Sequence, residues 1–304
     1  MQNNSNFYKK NYHVYSIANK NNNFYSYKYG PYEEPKEEIY EEETYAKPQA
    51  KIHMMKSYQE EEKDKQKKYK VIDFDYSLLK PYLLEADKRK ENIILLSTGS
   101  YNPIHKMHIE ILNIAYRYLL SLKKYNIICG FISPSADCYV RSKNKQLPLI
   151  PFDLRCKMIE TGIREYNRDN KGNNLKIFLH KWEGTHDYFI DFPDVISEIQ
   201  AQILDHYNNI KLIYVCGLDL YLACNEYFNK NVIVIDRKPY KNYIYKNIPE
   251  KFIYFINDDK VKPYSSTFIR ECYLKRDYVG ICNITFPEVG NMLIKFYDDN
   301  FKRY

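Results

Sequence analysis

The sequence predicts an α/β fold in which a mostly parallel sheet carries helices on both faces. From Asn92 onward, short apolar runs alternate with amphipathic segments of helical length, a pattern typical of βαβ units. Strands are predicted at residues 93–97, 127–132, 175–179, 212–216, 232–235 and 252–256. Helices are predicted at about 108–124, 151–165, 194–206 and 218–228, with two or three more after Ser265. Ligands of such sheets bind beyond the carboxyl ends of the strands, so the turns that follow the strands are the candidate sites.

The first 90 residues differ from the rest in composition. They contain one glycine and no cysteine, and seven glutamates lie between Glu33 and Glu43. Apolar residues show no sustained period there, so we expect a low-complexity, disordered extension. An apolar stretch at 71–84 is the exception, and we expect 71–90 either to dock on the domain or to act as a weakly packed linker. The folded domain is then expected to span residues 91–304.

Composition limits the function classes. The net charge of +7 favours anionic ligands in general, but no arginine-rich arm indicates nucleic-acid binding. The seven cysteines form no C-x-x-C pair, which is typical of free thiols in a reducing compartment. No apolar run approaches membrane-spanning length, and the N-terminus lacks a signal core. We expect a cytoplasmic or nuclear protein that binds neither membranes nor nucleic acid, with a homo-oligomer left open.

The turn at residues 99–108, GSYNPIHKMH, joins the first predicted strand to a helix. The first amides of a helix have no internal partner and carry the positive end of its dipole, so such a turn binds phosphate. Gly99 allows close approach of the backbone. His105 and His108 are three residues apart, which predicts both imidazoles on one side of the first helical turn.

The turns after the next three strands each allow two interpretations. The polar residues 133–141, which include Arg141, form either a phosphate-gripping loop or a mobile basic surface loop. Trp182 is either a core residue or a platform for a planar ring. Gly217 and Asp219 open a helix, where the carboxylate either interacts with the helix dipole or accepts hydrogen bonds from a ribose.

A second phosphate-binding turn is predicted at residues 265–270, SSTFIR. Ser265 resembles an N-cap, which would leave the amides and hydroxyls of Ser266 and Thr267 free in the first turn. Arg270 lies one turn further on the same side, where it could bind phosphate in a bidentate manner. Arg237, after the fifth strand, is either an anion contact or an ordinary surface cation.

Together these motifs resemble the nucleotidylyltransferase superfamily, and within it the eukaryotic nicotinamide/nicotinate mononucleotide adenylyltransferases. The superfamily is indicated by the G-S-Y-N-P-x-H-x-x-H and S-S-T-x-x-R motifs, with Met107 in place of the signature glycine, as in eukaryotic members. The narrower family is indicated by four motifs in the family's order: I-S-P-x-x-D-x-Y at 132–139, L-I-P at 149–151, W-E at 182–183 and C-G-x-D at 216–219. The resemblance implies a Rossmann-like nucleotidylyltransferase fold.

The resemblance also implies a role for each matching residue. The catalytic residues would be His105, His108 and Arg270, which contact the ATP phosphates. The other ATP-binding residues would be Gly99, Ser100, Tyr101, Gly217, Asp219, Arg237, Ser265, Ser266 and Thr267. The mononucleotide would meet Tyr139, Arg141, Trp182 and Glu183, with Trp182 stacked on the pyridine ring. The resemblance implies no metal ligand from the protein itself, since the ATP phosphates would carry Mg²⁺.

The implied reaction is transfer of AMP from ATP to nicotinamide or nicotinate mononucleotide, which gives a dinucleotide and pyrophosphate. Two departures from the family pattern concern the pyridine pocket: Leu218 stands where alanine is usual, and the second pocket tryptophan is missing, with Tyr227 or Phe228 as its candidate replacements. Two alternatives stay open. One is another nucleotidylyltransferase, such as a choline- or ethanolamine-phosphate cytidylyltransferase, and the other is a non-catalytic nucleotide-binding interaction module.

Overall fold

The computed structural model describes residues 74–143, 147–170, 175–224, 231–236, 253–257, 262 and 264–301. Within these residues the chain forms one six-stranded sheet of order β3-β2-β1-β4-β5-β6, and every neighbouring pair is parallel. The strands are β1 (Glu91–Gly99), β2 (Tyr125–Pro134), β3 (Ile177–Leu179), β4 (Ile210–Gly217), β5 (Val232–Asp236) and β6 (Ile253–Asn257). All six predicted strands are confirmed, and so is the parallel sheet.

The described helices alternate with the strands as predicted. They are α1 (Lys80–Leu84), α2 (Lys106–Ser121), α3 (Asp137–Lys143), α4 (Phe152–Asp169), α5 (Phe192–His206), α6 (Leu218–Cys224), α7 (Ser266–Leu274), α8 (Tyr278–Ile284) and α9 (Pro287–Asn300), with 3-10 turns at Tyr76–Leu79 and Glu183–Thr185. Pro193 and Pro287 lie in the first turns of α5 and α9, where a missing backbone donor has no cost. No described helix is long and apolar enough to cross a membrane.

Helices cover both faces of the sheet, as predicted. Alternate residues of β1 point to opposite faces, so Ile93 and Leu95 belong to one apolar cluster and Ile94 and Leu96 to the other. The first cluster packs under α2, α4 and α7–α9, and the second under α5 and α6. Because β1 is packed on both faces, the position of the turn that follows it is determined by the core.

Residues 74–84 pack on the sheet through the 3-10 turn and α1. Tyr76 and Leu79 are buried in the second apolar cluster, and Asp75 caps the turn by accepting the Ser77 amide at 3.0 Å. The low-complexity extension itself, at residues 1–73, lies outside the described residues.

The expected loop after β2 is wrong in one respect, because residues 137–143 form helix α3. Ala136 and Val140 are both buried and lie four residues apart, and the Val140 amide donates to the Ala136 carbonyl oxygen. The polar residues between them hid this helical spacing from the sequence pattern.

Candidate active site

The candidate site lies at the carboxyl edge of the sheet. Strand order reverses between the adjacent strands β1 and β4, and the turns after these strands begin at Gly99 and Gly217. A crevice at such a reversal is the usual ligand position in open parallel sheets. The neighbouring turn after β2 is tied to this point, since the Ser135 amide donates to the Gly99 carbonyl oxygen at 2.9 Å.

His105 and His108 form the beginning of α2. His105 is the N-cap residue with extended backbone, and its amide donates to Nδ1 of His108 at 3.1 Å. The two rings stack with centroids 3.5 Å apart, so the predicted common side is confirmed. Because Nδ1 of His108 is an acceptor here, the neutral ring carries its proton on Nε2 and can donate to a ligand from there.

The Tyr101 side chain is directed into the protein rather than into the cleft. Its φ is 42°, a left-handed conformation, and its hydroxyl donates to the Ser97 carbonyl oxygen at 2.9 Å. The ring lies over Gly99, where an added Cβ would be 3.4 Å from the ring. Tyr101 is 3% exposed, and burial raises the pKa of its hydroxyl. The Tyr101 side chain therefore packs within the protein, and the backbone of the turn remains at the edge of the cleft.

The second predicted phosphate turn forms the beginning of α7. Ser265 is its N-cap, as predicted, with Oγ accepting the Phe268 amide at 3.1 Å. The amides of Ser266 and Thr267 lie in the first turn, where a helix offers no intrahelical acceptor. The prediction of free hydroxyls is wrong: the Ser266 hydroxyl donates to the Pro103 carbonyl oxygen at 2.8 Å, and Thr267 Oγ1 accepts from Arg270 at 3.1 Å.

The two phosphate turns are bonded directly to one another. Besides the Ser266–Pro103 bond, Nη1 of Arg270 donates to the Asn102 carbonyl oxygen at 2.8 Å. The buried Met107, at the signature glycine position, accepts the Lys262 amide on its sulfur at 3.3 Å. Arg270 uses two of its guanidinium hydrogens in these contacts, which leaves others for an anion between the turns.

Arg155 fixes the position of the turns after β1 and β2 relative to each other. Its side chain is completely buried and donates to the carbonyl oxygens of Ser100 and Ser135, each at 2.7 Å. It also pairs with the Asp137 carboxylate at 2.8 Å and donates to the Ile150 carbonyl oxygen at 3.2 Å. A planar fork with several donors suits this task better than a lysine would.

The Trp182–Glu183 loop after β3 adjoins the same edge. The Glu183 carboxylate is 3% exposed and accepts the Ser133 hydroxyl at 2.7 Å. Burial raises the pKa of this carboxyl to about 7, although hydrogen bonds from Ser133 and Ser135 act in the opposite direction. At Gly184, an added Cβ would clash with Phe152 and the Pro134 carbonyl oxygen, so glycine allows the loop to lie against the turn after β2.

Trp182 is neither fully buried nor fully exposed. The ring is half-buried, packs against the second apolar cluster and meets His186 edge-on at 4.7 Å between centroids. Tyr139 in α3 stacks on Phe189 with centroids 4.4 Å apart, and Arg141 is exposed. Aromatic surface therefore lies on both the α3 and the Trp182 segments.

The turn after β4 holds Gly217 half-buried and Asp219 exposed. Leu218 is 2% exposed and belongs to the second apolar cluster, so the departure from alanine fills the core. Three residues of the sequence predictions, Arg237, Tyr227 and Phe228, lie outside the described residues. Among the described residues, no group of three or more His, Cys, Asp or Glu side chains is placed to hold a metal ion.

Sequence reasoning missed three contributors: Arg155, Asn102 and Phe189. Arg155 looked like an ordinary cation in a helix, and only its neighbours in space show its role. Asn102 is buried, its carbonyl oxygen receives Arg270, and its Oδ1 has no partner among the described residues. The N-P pair in the turn was the available signal for Asn102, while nothing in the pattern indicated Phe189.

Chemically, the arrangement presents two helix N-termini, an arginine and a histidine donor to one region of the sheet edge. Such a set binds the negative charge of phosphates and stabilises charge that develops on them. The adjacent aromatic and carboxyl loop suits a planar, polar group. The arrangement therefore suits anionic ligands that carry phosphate groups.

Comparison with known proteins agrees with this geometry. The family model described as "Cytidylyltransferase-like" matches residues 96–272, more than half of the chain. The nicotinamide/nicotinic acid mononucleotide adenylyltransferase 1 of Bos taurus is 40% identical over 127 residues, which are 40% of this chain and 41% of the relative. The corresponding protein 2 of Xenopus tropicalis is 28% identical over 136 residues, 44% of this chain and 42% of the relative. The chain thus matches about two fifths of the length of these relatives.

A solved structure also matches the fold. The Plasmodium falciparum nicotinic acid mononucleotide adenylyltransferase complexed with NaAD superposes with a TM-score of 0.50 at 21% identity, covering 69% of this chain and 100% of that chain. At this identity the likeness concerns the fold. With the family match over residues 96–272, it leads to one conclusion: the chain belongs to the cytidylyltransferase-like family and has the nucleotidylyltransferase fold.

Proposed function

We propose that the protein transfers AMP from ATP to the 5′-phosphate of nicotinamide or nicotinate mononucleotide, forming the dinucleotide and pyrophosphate. The main support is that the two predicted phosphate turns, at the beginnings of α2 and α7, are hydrogen-bonded to each other through Ser266 and Arg270. The Trp182–Glu183 loop lies at the same edge of the sheet, where Glu183 accepts the Ser133 hydroxyl. It is supported by the 40% identity to a protein named for this reaction. Both nicotinamide and nicotinate forms stay within the proposal, since a few pocket contacts separate them.

The reaction requires no base or covalent intermediate from the protein. An ionised phosphate oxygen of the mononucleotide attacks the α-phosphorus of ATP; a new P–O bond forms as the bond to the bridging oxygen of pyrophosphate breaks. Catalysis then rests on alignment of the two phosphates and neutralisation of the charge on the leaving group. These tasks fall to the beginnings of α2 and α7.

Each residue takes one part of that work. His108 donates from Nε2 to the α-phosphate, and His105 lies beside the β-phosphate. The amides of Ser266 and Thr267, with Arg270, bind the leaving pyrophosphate, while the backbone of 99–101, Gly217, Asp219 and Arg237 bind the rest of ATP. Trp182 stacks on the pyridine ring, and Tyr139, Arg141 and Glu183 line the mononucleotide side.

Mg²⁺ enters with ATP as part of the substrate. Its ligands are then phosphate oxygens and water, in keeping with the preference of Mg²⁺ for a few strong oxygen ligands and retained water. The ion neutralises phosphate charge there, and the protein groups orient the phosphates that carry it.

The test is pyrophosphate release by the full chain with ATP or CTP, paired with nicotinamide mononucleotide, nicotinate mononucleotide or phosphocholine. We expect release with ATP and at least one pyridine mononucleotide, and none with CTP and phosphocholine. Turnover only with CTP and phosphocholine would establish the cytidylyltransferase alternative. ATP binding in calorimetry, without release for any pair, would instead establish the interaction module.

A further inference from the structure

Residues 74–79, which precede β1, are joined by oriented hydrogen bonds to His180, just before the Trp182–Glu183 loop. The Tyr76 hydroxyl donates to Oε1 of Gln202 at 3.1 Å and lies 3.1 Å from Nε2 of His180. The Gln202 amide is oriented by Glu198, to which its nitrogen donates at 3.1 Å. Since the Tyr76 proton is used towards Gln202, the hydroxyl accepts from His180, whose proton is thereby fixed on Nε2.

His180 contacts both residues 74–79 and strand β2. Its side chain is fully buried, Phe74 stacks on it at 5.6 Å between centroids, and its amide donates to the Ile132 carbonyl oxygen of β2 at 2.9 Å. Nδ1 of His180 is buried without a partner among the described residues, and Nε2 has the Tyr76 hydroxyl as its hydrogen-bond partner. Loss of the Tyr76 hydroxyl would leave the buried Nε2–H of His180 without an acceptor, which favours a shift of the imidazole towards another acceptor.

The position of His180 in the chain gives that contact a functional consequence. Trp182 lies two residues further on, followed directly by Glu183, and its carbonyl oxygen accepts from Thr185 Oγ1 at 2.8 Å within the same short turn. Any displacement of the His180 imidazole and backbone therefore passes into this turn. The anchoring segment lies before residue 96, where the family match begins.

We propose that residues 74–79 position the Trp182–Glu183 loop for the pyridine mononucleotide, with Tyr76 and His180 as positioning residues; this rests on the proposed function. Tyr76 touches no reacting group and acts through His180. Its effect should therefore fall on the mononucleotide side of the site and leave the phosphate turns, which are braced by Arg155 and Arg270, unchanged.

The test compares Tyr76→Phe with Tyr166→Phe in the full chain. Tyr76 and Tyr166 are 4% and 6% exposed, and Tyr166 donates to Glu110 on the other face of the sheet, so both changes remove one buried hydroxyl. We expect Tyr76→Phe to raise KM for the mononucleotide about tenfold with kcat and the KM for ATP near wild type. Tyr166→Phe should leave both KM values unchanged. Equal KM effects of the two variants, or a rise of KM for ATP alone, would overturn the proposal.

A double-mutant cycle separates positioning from general stability. His180→Leu should reproduce the KM effect of Tyr76→Phe, and the double variant should be no worse than either single variant, because both remove the same contact. Additive KM effects would overturn the role of this contact. If a single variant does not fold, the other still decides through its KM values.

Trp182, the chain's only tryptophan, gives a readout that needs no catalysis. With excitation beyond the tyrosine absorption, Tyr76→Phe should change the emission maximum and acrylamide quenching of the folded protein, while Tyr166→Phe should not. Unchanged Trp182 emission in Tyr76→Phe would contradict the proposal. If the wild type adenylylates neither mononucleotide, the proposed function fails, and this fluorescence comparison still decides whether the segment controls the loop.

Discussion

The imidazole rings of His105 and His108 stack with their centroids 3.5 Å apart and an interplanar angle of 18°. The stack and the bond from the His105 amide to His108 Nδ1 give His108 two separate duties. Nδ1 helps to cap the beginning of α2, and Nε2–H is the donor that the proposed function assigns to the α-phosphate. A substitution can remove one duty and keep the other.

His108→Asn is the substitution that separates these duties. The Asn Oδ1 can still accept the His105 amide, but no donor remains at the Nε2 position. We expect a normal melting temperature and a fall in kcat of about a hundred- to a thousandfold, the usual cost of one lost transition-state donor. His108→Ala should lose activity to the same extent and some stability as well. Near-wild-type pyrophosphate release by folded His108→Asn would contradict the assigned role.

Arg270→Lys tests the bond between the two phosphate turns. A lysine cannot keep the contacts with both Asn102 and Thr267 and still bind an anion. We expect KM for ATP to rise about tenfold or more and the KM for the mononucleotide to change little. The matched control is Arg276→Lys, an exposed arginine just beyond α7. Steady-state kinetics with each substrate varied in turn gives the comparison; a selective loss of mononucleotide affinity would count against this role.

Glu183 should make stability depend on pH. Burial raises its folded pKa to about 7, above the usual value of 4.5, so between these values the folded protein holds a proton that the unfolded chain has lost. This contribution to stability is full below about pH 4.5, declines as the pH rises, and is gone above about pH 7. Glu183→Gln cannot ionise and should show a flatter stability curve from pH 5 to 8, in calorimetric or urea unfolding.

The exposed Glu271 provides the control for that experiment, since Glu271→Gln should keep the wild-type pH dependence. A free energy of unfolding that falls across this window by the same amount in the wild type and in Glu183→Gln would show that the Glu183 carboxyl is not the group responsible.

Arg155→Met should destabilise the fold strongly. The variant removes the buried cation and leaves the Ser100 and Ser135 carbonyl oxygens and the Asp137 carboxylate without their donor. Each buried carbonyl oxygen left without its donor costs about 1–3 kcal/mol. Arg164→Met, on the same helix, removes an exposed pair with Glu288 and should cost less than about 1 kcal/mol. Urea unfolding measures both, and equal losses would refute the bracing role of Arg155.

The sequence contained enough information for the sheet and for both phosphate turns. Apolar runs of strand length and N-cap chemistry are local signals, so six strands and the cap at Ser265 could be read from neighbouring residues. The hydrogen bond of the Ser266 hydroxyl could not be predicted in this way, because its acceptor, the Pro103 carbonyl oxygen, is 163 residues away in the chain. The helix at 137–143 was missed for a different reason, since it has one short apolar spacing among polar residues.

The same distinction applies to side-chain direction. The pattern placed Tyr101 in the turn, but its positive φ and its bond to Ser97 send the ring back over Gly99. Arg155 shows the limit most clearly: its four acceptors come from three separate segments that only the folded sheet brings together.

The bond from Arg270 to Asn102 closes a span of 168 residues. During synthesis, the turn at Gly99 leaves the ribosome long before α7 exists, so the growing chain has only half of the phosphate site until its last helices arrive. Under the proposed function, a nucleotide bound between the two turns would stabilise the complete fold rather than either part, by the ordinary coupling of binding to folding. Removal of the C-terminal helices should consequently abolish nucleotide binding even where the first strands still pair.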